Sequence, residues 1–157
     1  MALSLDRQDI LAKGKSIILK EASSLSRIAG LLDRNFHASV ELLYECRGKV
    51  IISGMGKSGI IGQKIAATLS STGTTALFMH PADAAHGDLG IVSEDDVVIC
   101  LSKSGMTEEL NFILPALRKI GVSIIAFTGN KRSYLAENAD IMLDVSCLLY
   151  TSPSHET

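Results

Sequence analysis

At 157 residues the chain is long enough for one domain with a real core and too short for two ordinary ones. Its 46% hydrophobic and 20% charged residues exclude disorder for the bulk of it, and a formal net charge of −2 with scattered Lys and Arg offers no basic face to nucleic acid. Cys46, Cys100 and Cys147 lie far apart with no C-x-x-C pair, which argues against a disulfide framework and a structural zinc site; Cys100, inside an apolar run, reads as a buried thiol. No signal-peptide core and no membrane-length apolar stretch is visible, so a cytoplasmic protein without a membrane partner is expected.

In chain order, residues 9–45 read as helix. Ile10, Leu11, Ile17, Ile18, Leu25, Ile28, Leu32, Val40 and Leu43 recur at helical spacing with charges between them, and Gly30 predicts a break or bend. This segment has more apolar face than one small sheet can cover, so part of it is expected to pack on another subunit. The texture then changes. Short runs rich in Val and Ile predict strands over 49–53, 75–79, 97–101, 123–128 and 141–145. Helical patterns fall at 60–69, 108–120 and near 133–138. Apolar strands alternating with helices predict a doubly wound α/β domain with a parallel sheet. The organisation is then a helical segment (1–48) that belongs with the domain, an α/β core (49–146) and an atypical tail (147–157) without periodicity.

Two turns stand out. Ser53-Gly54-Met55-Gly56-Lys57-Ser58-Gly59 follows the first strand, and Ser102-Lys103-Ser104-Gly105-Met106-Thr107-Glu108-Glu109 follows the third. Each puts a hydroxyl-lined turn where a strand ends and a helix begins, a place whose free N–H groups and positive dipole end suit a phosphate. Gly54, Gly56 and Gly59 also match the G-x-G-x-x-G dinucleotide fingerprint, but the next strand ends in Met79-His80-Pro81 without the acidic residue that holds a ribose. A P-loop would need glycine where Ile51 stands. The remaining readings are a sugar-phosphate site, with Lys57 as a point charge and Ser53 and Ser58 as donors, or glycines that only allow close strand–helix packing.

In the serine turn, Thr107 is the expected N-cap, with Glu108 and Glu109 favoured in the first turn. Three hydroxyls, Ser102, Ser104 and Thr107, exceed what a cap requires and suggest a bound anion. The segment His80-Pro81-Ala82-Asp83-Ala84-Ala85-His86-Gly87-Asp88-Leu89-Gly90 lies over the same sheet edge. His86 with Asp88 is the candidate for proton transfer, while His80 before Pro81 orients or packs. A metal site from His80, His86 and Asp88 lacks helical H-x-x-x-H spacing. His37 and His155 have no such context.

Taken together, Gly54-Met55-Gly56-Lys57-Ser58-Gly59, Ser71-Thr72-Gly73-Thr74, His80-Pro81, the run from Ala84 to Gly90, Ser102-x-Ser104-Gly105 and Thr128-Gly129 appear in an order that resembles the sugar isomerase (SIS) domain family. Within it, Gly-Met-Gly-Lys-Ser-Gly with Ala-Ala-His-Gly-Asp-Leu-Gly is most similar to the D-arabinose-5-phosphate isomerases. The resemblance spans residues 49–145. It implies a flavodoxin-like five-stranded parallel sheet and interconversion of D-ribulose 5-phosphate and D-arabinose 5-phosphate for 3-deoxy-D-manno-octulosonate synthesis. By matching positions it implies Lys57, His86 and Glu109 as active-site residues and Ser102, Ser104 and Thr107 as the phosphate loop. It also implies a homo-oligomer, dimer or tetramer, needing no cofactor, though divalent metals such as zinc bind and inhibit members of the family. Lys103 and Met106 depart from its common Asn and acidic residue. The family continues after the fifth strand with Glu-Ala-x-Pro-Leu and Ser-His-Pro-Gly-Gly segments and, in many members, paired CBS modules. None stands in this sequence, so a catalytically incomplete fragment with a chimeric or read-through tail is expected. The alternatives are a non-catalytic sugar-phosphate-binding domain and another isomerase of the family, such as a phosphoheptose isomerase.

Overall fold

In the computed structural model, which describes residues 7–146, five strands form one parallel sheet: β1 (Val50–Gly54), β2 (Ala76–Met79), β3 (Val97–Leu101), β4 (Ser123–Thr128) and β5 (Ile141–Asp144). The spatial order is β2-β1-β3-β4-β5, the flavodoxin-like arrangement. Every residue of β1 and β3 is buried, which is why these runs are apolar without alternation: both faces are covered. The helices are α1 (Arg7–Ala29), α2 (Arg34–Tyr44), α3 (Gly56–Ser71), α4 (Pro81–Ala85), α5 (Glu108–Ile120) and α6 (Tyr134–Asn138), with a 3-10 turn at Asp88–Ile91.

Side-chain alternation sorts the core into two layers. Ile51, Val98, Cys100, Ile124 and Ala126 face a stripe on α5, namely Leu110, Ile113, Leu114 and Leu117, together with Ala84 of α4 and Leu135 of α6. Val50, Ile52, Val97, Ile99 and Leu101 face Ile65, Ala66 and Leu69 of α3 and Leu42 and Leu43 of α2. Burial pushes the Cys100 thiol up to about 12, so it stays protonated and inert in the core. The expected break near Gly30 is present: α1 ends at Ala29 and Asp33 caps α2 by accepting the Asn35 N–H at 2.8 Å. Asn35 Nδ2 in turn donates to the Met142 carbonyl at 3.1 Å, tying α2 across β5.

α1 lies in a separate unit from Asp33–Ser146. Its apolar side chains Ile10, Leu11, Ile17, Ile18, Leu19 and Leu25 are between 49% and 69% exposed. Among the described residues no helix is long and apolar enough to cross a membrane. Two local features differ from the sequence expectation. α3 begins at Gly56 rather than at residue 60, because its first turn holds glycines that carry no helical signal. The histidine segment holds α4, opened by Pro81 at its first position, and the 3-10 turn; pieces of five and four residues are too short to show a period.

At the amino edge of the sheet Asp96, 2% exposed, clamps β1 to β3. Oδ1 accepts the Lys49 N–H at 2.9 Å, and Oδ2 accepts the Ser93 N–H at 2.8 Å and the Lys49 Nζ at 2.7 Å. Burial by itself would raise this carboxyl, but the Lys49 ammonium and the two backbone N–H groups outweigh it and hold Asp96 below the usual carboxylate range. A depressed native pKa means the unfolded chain takes up the proton first as pH falls. The clamp's contribution is therefore whole above about pH 4 and disappears as pH drops through the native value. Asp96→Ala is expected to cost about 1–3 kcal/mol in urea unfolding at pH 7, since two part-buried N–H groups and the Lys49 ammonium lose their acceptor, and to flatten the acid limb of the stability–pH curve. Equal acid slopes in the two proteins would deny the clamp its electrostatic part.

Candidate functional site

β1 and β3 are neighbours in register, with Gly54 opposite Leu101, yet the chain leaves them toward opposite faces, to α3 from one and to α5 from the other. Such a divergence opens a crevice at the carboxyl ends of the strands. β2 lies on the other side of β1, with Met79 opposite Ser53, so the histidine segment starts from the adjoining strand end. The three sequence features thus emerge side by side from β2, β1 and β3.

The glycine turn proves to be both a packing device and an open helix end. A side chain on Gly59 would stand 2.7 Å from the Gly54 carbonyl oxygen, and one on Gly54 would stand 3.1 Å from the Leu101 carbonyl oxygen. Only glycine lets α3 start this close to the strands. Gly56 and Lys57 are exposed and Ser58 is half-buried. Met55, the N-cap, supplies no side-chain acceptor, so the first N–H groups of α3 are not capped by a side chain. The Ser53 hydroxyl is fully buried and donates to the Met79 carbonyl at 2.8 Å, tying β1 to β2, a role in the sheet that the sequence did not show.

In the serine turn Ser102, 4% exposed, accepts the Gly105 N–H at 3.1 Å and pairs with the Thr107 hydroxyl at 2.7 Å. One proton serves that pair whichever atom donates, so one hydroxyl proton remains for a ligand. Thr107 stands at the N-cap of α5 as expected, but its hydroxyl turns to Ser102 and makes no bond to the helix. Elsewhere Asp33 caps α2 and Ser133 caps α6; the helices that open on the crevice are left uncapped by side chains. Ser104 is exposed, its Oγ accepting the Met106 N–H at 3.2 Å, and Glu108 and Glu109 are exposed in the first turn of α5.

His80 and His86 bracket the short α4. His80 is half-buried at its start, its ring edge-on to Phe78 with centroids 6.4 Å apart, while His86 is exposed at its end. Because Ala84 shares the core with Leu110, α4 lies on the α5 side, which brings His86 to the same face of the sheet as Glu109, while Lys57 starts α3 on the other face. Among the described residues no three or more His, Cys, Asp or Glu side chains are grouped to hold a metal, so His80 and His86 gain no third ligand there. A cavity of about 200 Å³ lies at the opposite, amino end of the sheet, against Cys46, Arg47, Asp95, Val97 and Ser123, away from these groups. Sequence reasoning missed Asn111, whose Nδ2 donates to the Gly105 carbonyl at 3.4 Å while its buried Oδ1 has no partner. It also missed how Ser133 packs against the turn.

The fold and the two open helix ends define a doubly wound α/β domain with an anion-competent crevice at its switch point. The SIS domain family matches residues 42–147, and the chain belongs to it. It is 41% identical over 154 residues to the arabinose 5-phosphate isomerase KdsD of Pseudomonas aeruginosa, covering 95% of this chain and 47% of that protein. It is 42% identical over 153 residues to the arabinose 5-phosphate isomerase GutQ of Salmonella typhi, covering 94% of this chain and 48% of that protein. The chain therefore spans about half the length of the curated relatives it matches. A protein of Escherichia coli CFT073, solved in complex with arabinose 5-phosphate, superposes with a TM-score of 0.88 at 37% identity, over 96% of this chain and 82% of that one.

Ser53→Ala separates the sheet role from a ligand role. Losing the buried bond to Met79 is expected to cost about 1–2 kcal/mol in denaturant unfolding. Affinity for a sugar phosphate, measured by titration calorimetry on the same variant, stays unchanged. A large loss of affinity with stability intact would return Ser53 to the site.

Proposed function

We propose that this chain carries the substrate-binding core of an aldose–ketose isomerase that interconverts D-ribulose 5-phosphate and D-arabinose 5-phosphate. The observation that carries the reading is the pair of uncapped helix N-termini, α3 and α5, set on adjacent central strands with hydroxyls beside them. A phosphate dianion suits that place, and the similarity to named arabinose 5-phosphate isomerases supports the sugar.

With the phosphate held at Ser104, the Ser102–Thr107 pair and the start of α5, its binding energy can orient the carbons that react. Isomerisation moves a proton between C1 and C2 through an enediolate. His86 takes and returns that proton, Glu109 passes hydroxyl protons or assists ring opening, and Lys57 offsets the developing oxyanion. Enolisation next to a carbonyl asks only for an acid, a base and a positive group, so this route calls for no cofactor. We place the product in 3-deoxy-D-manno-octulosonate synthesis. The exposed apolar side chains of α1 support assembly into a homo-oligomer.

A binding-only domain is the second reading. Its support is that His86 is exposed and that, among the described residues, no side-chain hydrogen bond orients its ring.

Purified protein mixed with ribulose 5-phosphate and followed by NMR is expected to form arabinose 5-phosphate. His86→Gln is expected to lower kcat by about a hundredfold or more while substrate affinity stays within about twofold. Thermal stabilisation by ribulose 5-phosphate without turnover favours the binding-only domain, and unchanged turnover in His86→Gln removes that residue from the chemistry.

A further inference from the structure

Gly105, in the middle of the serine turn, is gripped from behind by the loop that joins β4 to α6. Its φ of +65° lies in the left-handed region, which glycine adopts without strain. A side chain at this position would overlap that of Ser133 and stand 2.9 Å from Thr128 Oγ1, so Ser133 fills the space that a residue larger than glycine would need. The Leu135 N–H donates to the Gly105 carbonyl at 3.3 Å. Ser133 itself is fully buried. Its hydroxyl donates to the Asn130 carbonyl at 2.7 Å and accepts the Ala136 N–H at 3.2 Å, capping α6. Thr128, also fully buried, donates to the Lys103 carbonyl at 3.2 Å and accepts the Asn130 N–H at 3.2 Å, and the Gly129 N–H reaches the same Lys103 carbonyl at 2.9 Å.

We propose that Ser133 is a positioning residue for the anion cradle: by capping α6 and filling the space beside Gly105, it fixes the left-handed turn from which Ser104 and the start of α5 are presented. The proposal rests on the reading of this turn as the phosphate site. The physical chain is short. Without the hydroxyl, the Ala136 N–H loses its acceptor and the Asn130 carbonyl keeps only the Ser133 N–H, so the first turn of α6 loosens and the Leu135 N–H leaves its place on Gly105. The turn then samples several arrangements, and the apparent affinity falls by the fraction that remains competent. His86 and Lys57 lie outside this turn, at the end of α4 and in α3, and Glu109 keeps its place in α5 whenever the turn is in its competent arrangement, so substrate that does bind reacts at its former rate.

The test uses the 157-residue chain with inorganic phosphate as the probe, followed by amide NMR. In the unmodified protein the amides of 104–109 shift together, and the Leu135 amide shifts with them. In Ser133→Ala the phosphate Kd rises by about tenfold, and with ribulose 5-phosphate KM rises while kcat holds. Asp96→Ala, which loosens the far end of the sheet, leaves the phosphate Kd unchanged and so excludes general destabilisation as the cause. A folded Ser133→Ala with unaltered Kd overturns the proposal. So does a flat Leu135 amide beside shifting 104–109, an observation that needs no variant to fold. If 104–109 ignore phosphate altogether, the cradle reading itself fails and the proposal falls with it.

Discussion

The parallel pairing of β1 with β3 is the constraint on which the rest of the site depends. Between these strands the chain's two directions of winding part, α3 to one face and α5 to the other, so their turns emerge side by side at the carboxyl ends of the strands. The pairing's register is set by the core rather than by the site. Ile51, Val98 and Cys100 must face α5 while Val50, Ile52, Val97 and Ile99 must face α3. A slip of one residue in β3 would reverse every one of its side chains and raise Ser102 about 3.3 Å relative to Gly54. Apolar packing in the middle of the sheet therefore fixes the height at which two polar turns meet.

Buried polar groups in this fold serve the backbone, and exposed ones are left for chemistry. Ser53, Asp96, Thr128 and Ser133 are at most 2% exposed, and each bonds main-chain groups, Asp96 holding the Lys49 ammonium as well. A polar atom shut away from water without such a partner would cost on the order of 1–3 kcal/mol, so these residues are fixed by satisfaction of the interior. Lys57, Ser104, His86 and Glu109, by contrast, are exposed, in segments that follow the carboxyl ends of β1, β2 and β3. Ser102 joins the two groups: nearly buried, it fastens Gly105 and passes its hydroxyl pairing to Thr107 at the surface.

Much of the architecture could be read from the residues because the strands are short apolar runs that nothing else interrupts. The runs at 97–101 and 123–128 have the same bounds in the structure; Asp96 and Ser102 flank the first, and Gly129 follows the second. Legibility failed where structure does not depend on period. α4 has five residues, and α3 opens on glycines chosen for closeness to Gly54 and not for helicity. In the site, the turns were visible as hydroxyl and glycine clusters, but the destination of each hydroxyl was not. Ser53 and Ser104 look alike in sequence; strand alternation and the Met79 carbonyl commit one, while the open turn exposes the other. Ser133 carried no signal beyond a cap, because what it fills is space left by a glycine 28 positions earlier in the chain.

The site's two tasks rest on different kinds of structure. Holding an anion draws on N–H groups that every helix start supplies, aimed by the sheet and braced by a buried loop, so it follows from the fold itself. In the proposed mechanism, moving a proton draws on His86, just after a five-residue helix, and on Glu109, in the first turn of α5, both of them exposed. Proton transfer requires the acid or base within hydrogen-bond reach of the reacting carbon, a demand far stricter than electrostatic attraction. In the proposed function, anion binding thus follows from the backbone, whereas turnover asks more of how His86 is oriented.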